Sequence, residues 1–92
     1  MYFITSISEK HGYRCVGYVS TLEEAIDIVE NNRCDLWEAG YYPYAVIENI
    51  AEGLYQYDQS PLWFKYNIEK EIYEKSNRQE FIDSRFVVFG IG

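Results

Sequence analysis

The chain has 92 residues, 48% hydrophobic and 25% charged, enough for a single core and too apolar for a disordered tail. Eight Lys and Arg against fifteen Asp and Glu give a formal net charge of -7, which argues against a protein that grips a nucleic-acid backbone. Two cysteines, Cys15 and Cys34, are too few for a disulfide framework, and neither stands in a C-x-x-C pair. Both are expected reduced and mostly buried.

In chain order, Tyr2–Ile7 has β-branched and aromatic character and reads as a strand rather than a signal peptide. The polar run Ser8 to Gly12 leads into a second strand-like stretch, Tyr13–Val19, so the pair predicts a β-hairpin. Gly17 inside the second strand suggests a bulge or a close crossing. Thr21-x-x-Glu24 is a capping box, with Ser20-x-x-Glu23 as an alternative frame. Leu22, Ala25, Ile26 and Val29 then form one apolar stripe at helical spacing. Glu23, Glu24, Asp27 and Glu30 lie off that stripe, and Asn31-Asn32 supplies a stop. A helix over about residues 21–32 follows.

Residues 33–43 read as an extra helical turn or an irregular connection, broken by Pro43. Strand character returns over 44–50, and Leu54–Tyr57 reads as a short extended piece. Residues 62–76 admit a helix capped by Ser60, but their clustered aromatics and Asn67 favour a hairpin. The apolar end, residues 85–92, reads as an edge or closing strand. The order β-β-α-β-β-β predicts a single α+β domain over 1–92: a small, mostly antiparallel sheet of about five strands with one main helix on one face. The other face must be packed by loops, exposed, or covered by a second chain.

No catalytic constellation stands out. His11 and Cys15 could approach each other at one hairpin end, but a solvated turn histidine is the simpler reading. The lone histidine and separated cysteines have no zinc spacing, and the glycines form no phosphate loop. No cofactor or metal is expected, and no enzymatic activity. No apolar run approaches the roughly 20 residues of a membrane span, so the protein is expected to remain cytoplasmic.

The distinctive feature is aromatic density between residues 37 and 66, with ten Tyr and two Trp in the whole chain. Tyrosine suits half-wet surfaces, and Trp, Tyr and Arg are enriched in binding hot spots. An ordinary small-domain core would also use such rings. The candidate partner-binding residues are Trp37, Tyr41, Tyr42, Glu48 and Tyr57, with Glu48 read either as an outward strand residue or as a contact. Arg14 and Arg33 are candidates for holding a nucleotide phosphate beside a ring.

The strings Tyr44-Ala45-Val46-Ile47-Glu48, Glu52-Gly53-Leu54-Tyr55 and Trp63-Phe64 before a charged hairpin carry a resemblance. So do the opening strand, the Gly17-Tyr18 strand with its capped helix, and the closing Phe89-Gly90-Ile91-Gly92. Together they resemble a loose group of short proteins of gut clostridia and of their phages and mobile elements, a group with no motif tied to a reaction. The resemblance implies an anti-defence role: an anti-CRISPR-like inhibitor contacting a host or phage protein, including one with a basic nucleic-acid-binding surface. The alternatives are an oligomeric sponge for a nucleotide immune signal, with a homodimer in view, and a small intracellular interaction domain.

Overall fold

The computed structural model describes residues 1–33, 42–50 and 61–82. Within these, the elements are β1 (Tyr2–Ser8), β2 (Gly12–Val19), α1 (Leu22–Glu30), β3 (Tyr44–Asn49), β4 (Leu62–Asn67) and β5 (Ile72–Ser76). The strands form one antiparallel sheet in the order β2-β1-β3-β4-β5, with the helix packed on one face. The anticipated α+β architecture and element order are therefore present, and residues 62–76 form the hairpin rather than the helix. The connection 34–41, the stretch 51–60 and the terminal segment 83–92 lie outside the described residues.

Each turn has a local cause. The β1–β2 loop needs a left-handed residue at its end, and Gly12 supplies it at φ 84. Ser8 Oγ accepts from the backbone N–H groups of Lys10 (3.2 Å) and His11 (3.1 Å) across that loop. In the β4–β5 loop, Asn67 Oδ1 accepts from the Lys70 N–H at 3.2 Å. There Glu71 takes the left-handed conformation at φ 57.

The helix starts where the Thr21 frame places it: Thr21 Oγ1 accepts from the Glu24 N–H at 3.2 Å. It ends on Asn31, with Asn32 left-handed at φ 50. The Asn32 N–H donates to the Val29 carbonyl and the Arg33 N–H to the Ile28 carbonyl, the reciprocal pattern of a Schellman stop. Ala25 and Val29 are buried, but Leu22, in the first turn, stays exposed.

The sheet register assigns side chains to faces. On the helix side, Ile4, Ala45, Ile47, Phe64 and Tyr73 join Ala25 and Val29 in one core. On the other side, Ile7, Val46 and Ile82 form a second cluster with Tyr44 and Trp63 against it. Phe81 lies against the Tyr44 ring at 5.8 Å. A loop thus covers the centre of the second face, one of the three anticipated solutions.

Gly17 marks a bulge. Ile4 pairs with Gly17 and Thr5 with Cys15, leaving Val16 as the extra residue. Among the described residues, a Cβ at Gly17 would meet nothing within 4 Å, so no described element crosses closely over it. The bulge shifts the strand's side-chain phase. Val16 and Val19 both pack on the helix-side core, whereas Tyr18 pairs opposite Phe3 and touches it at 5.3 Å. Tyr13, Cys15 and Tyr18 consequently share the face opposite the helix. The expectation that Cys15 is buried is corrected: it is a free, exposed thiol on the outermost described strand. Cys34 lies outside the described residues.

Candidate functional surfaces

Two of the residues proposed from sequence meet directly. The Arg14 guanidinium lies over the Tyr42 ring, 5.5 Å from its centroid, within the range of cation–π attraction. Arg14 pairs with Ser6 on β1, which directs it to the helix-bearing face. Tyr42 precedes β3, and its carbonyl accepts from the Tyr73 hydroxyl at 2.7 Å. The Tyr73 ring meets Tyr66 edge-on at 5.0 Å. A guanidinium and three tyrosines therefore link β2, the entry to β3, and the β4–β5 hairpin. Ser6 Oγ is fully buried with no hydrogen-bond partner among the described residues.

Arg33 is placed differently: it forms an ion pair with Asp27 at the helix C-terminus. Both partners are about half exposed or more, so the pair contributes little to stability. Glu48 requires correction. At 2% exposure it is enclosed rather than outward-facing. The reason is its place on the central strand β3, opposite Phe3, on the face covered around Val46 and Ile82. Trp37, Tyr41 and Tyr57 lie outside the described residues, so of the aromatic candidates only Tyr42 has a described setting.

The helix presents the second surface. Glu23, Glu24 and Asp27 are exposed on α1, opposite the buried Ala25 and Val29. Glu23 and Glu24 lie in the first turn, where unpaired N–H groups favour negative charge. The third surface was not singled out from sequence. Tyr18 is 60% exposed and Tyr13 39%, with Cys15 between them on β2. It went unnoticed because strict alternation along β2 separates Tyr13 from Tyr18; only the bulge puts them on one face.

The hairpin carries a polar cluster. Asn67 Nδ2 donates to Glu74 Oε1 at 3.0 Å, and Lys70 Nζ lies 3.4 Å from Oε2. The hydrogen bond from Asn67 does most to hold the Glu74 carboxyl below its usual range; desolvation opposes it, and the bond and charge of Lys70 add smaller lowering effects. Among the described residues, no three His, Cys, Asp or Glu side chains gather as metal ligands. No described helix is long and apolar enough to cross a membrane.

These features define the class: a small antiparallel α+β domain with an acidic helix on one face and tyrosines along the outermost described strand. Comparison with protein-family models, curated proteins and solved structures finds no match.

Proposed function

We propose that this chain is a non-enzymatic binding protein that blocks a bacterial defence component by covering a basic surface with its acidic helix. The observation that carries the reading is the solvent-facing set Glu23, Glu24 and Asp27 on α1, in a molecule of net charge -7. Such a face competes with nucleic acid for a cationic channel through electrostatic complementarity and long-range steering. The mobile-element setting suggested by sequence resemblance, and action in the cytoplasm, belong to this reading.

The test is binding of the purified chain to nucleic-acid-guided defence effectors across a salt series. Association is expected to weaken steeply as the screening length shrinks from about 10 Å to about 3 Å between 0.1 and 1 M salt. Replacing Glu23, Glu24 and Asp27 together by Lys should abolish it. Affinity insensitive to both changes removes the reading.

A second reading, a sponge for a nucleotide signal, is favoured by Arg14 over the Tyr42 ring. A base stacked on the ring with its phosphate near the guanidinium would use both groups. A binding nucleotide at 100 times its dissociation constant should stabilise the fold by about 2.7 kcal/mol in a thermal-shift screen. No shift with cyclic or linear nucleotides dismisses it.

A further inference from the structure

We propose that the groove over the β4–β5 hairpin binds a short zwitterionic peptide, about two or three residues long with both ends free. The groove has a volume of about 580 Å³, and Lys65, Asn67, Ile68, Glu69, Glu74 and Ser76 are among the residues that line it, a size suited to a small ligand. Phe64 and Tyr73 turn into the helix-side core. Alternation along each strand therefore places Lys65, Asn67, Glu74 and Ser76 together on the other face.

The turn withholds the obvious partner from Lys65. The register sets Lys65 directly opposite Glu74, where opposite charges ordinarily pair. Both Glu74 oxygens are taken instead, Oε1 by Asn67 Nδ2 at 3.0 Å and Oε2 by Lys70 Nζ at 3.4 Å. Asn67 is itself fixed, because its Oδ1 accepts from the Lys70 N–H. Among the described residues, neither the Lys65 ammonium nor the Glu69 carboxylate has a hydrogen-bond or ion-pair partner. The groove thus offers one uncompensated charge of each sign, the cation on β4 and the anion in the turn.

Charge and spacing select the ligand. A simple anion would meet Lys65 but be repelled by a chain of net charge -7. A simple cation would leave Lys65 unanswered. A ligand carrying both charges satisfies both groups and is neutral in the field of the molecule. Lys65 and Asn67 lie about 7 Å apart along β4, and Ile68 and Glu69 extend the groove beyond them. An extended peptide of two or three residues spans about 7–10 Å. Its carboxylate meets Lys65, its ammonium meets Glu69, and an apolar side chain covers Ile68, which is 69% exposed. Ser76, paired with Trp63, stands beyond Lys65 on the side away from the turn and adds a hydroxyl donor at the carboxylate end.

Titrating the isotope-labelled full chain with the tripeptide alanyl-leucyl-alanine, read by amide NMR, tests this. Saturable shifts centred on residues 65–76 are expected, with a dissociation constant in the millimolar range. Acetylating the peptide's amine or amidating its carboxyl should each weaken binding by up to about fivefold, the reach of a solvent-exposed ion pair. Lys65→Gln should make binding indifferent to amidation, and Glu69→Gln should make it indifferent to acetylation. Both positions are exposed and outside the two cores, and an unchanged amide spectrum elsewhere verifies the fold. Neither α1 nor Arg14 takes part, so the result bears on this groove alone. The proposal is overturned if no saturable shift appears up to the solubility of the peptide, or if the shifts centre outside residues 65–76. It is equally overturned if either capped peptide binds as well as the free one, or if the dependence on the peptide's ends survives the two substitutions.

Discussion

Glu71 holds a backbone conformation, φ 57, that an ordinary side chain enters only at a cost of about 1–2 kcal/mol. It does so because the four residues between Asn67 and Ile72 must reverse the chain and start β5 in register. Glu71→Gly should relieve most of that strain, less the greater freedom glycine has when unfolded. The expected outcome is a rise in thermal midpoint of a few degrees. Asn67 works in the same turn from the other end, accepting from Lys70 and donating to Glu74. Asn67→Ala should lower stability by about 1 kcal/mol, measurable by urea titration. Because Glu74 has a lowered pKa in the fold, its contribution is complete above the unfolded value. It fades as pH falls through the lower folded value. An NMR titration of the Glu74 carboxyl should give a midpoint below the usual glutamate range in the native chain, and a higher one in Asn67→Ala.

Among the elements, α1 was legible because its signals are local. The cap at Thr21, the buried pair Ala25 and Val29, and the Asn31-Asn32 stop all act within a few residues. Thr21→Ala removes the bond to the Glu24 N–H and should lower the melting midpoint by roughly 4–8 °C, for a cap worth about 1 kcal/mol. The hairpins were legible for the same reason: Gly12 and Asn67 mark reversals by backbone chemistry. What sequence could not provide was the partner of each face. Glu48 alternates like an outward strand residue, and only the loop carrying Phe81 and Ile82 shows that this face is covered. Cys15 was misjudged in the opposite sense, because burial depends on being central in the sheet and β2 is outermost among the described strands. Gly17 did foretell the bulge, but not that it would bring Tyr13 and Tyr18 together.

For the whole molecule, stability depends on joining two clusters across one sheet. Tyr73 ties distant segments together within the first of these: buried on β5, it packs in the helix-side core and donates to the Tyr42 carbonyl. Nothing local announced this, since the acceptor lies 31 residues earlier in the chain. Tyr73→Phe keeps the ring but removes its hydrogen bond to the Tyr42 carbonyl, and should cost about 1–2 kcal/mol in chemical denaturation. Phe64→Ala empties the centre of the same core, and a loss of about 3–5 kcal/mol threatens a domain whose total margin is about 5–15 kcal/mol.

The extra residue at Val16 also bears on how far such a molecule can be concentrated. A flat, tyrosine-lined border would invite molecule after molecule to stack into fibres. The kink denies them a straight template along β2. Deleting Val16 should straighten the border, and thioflavin-positive fibres from the shortened chain are the expected sign that this safeguard is gone.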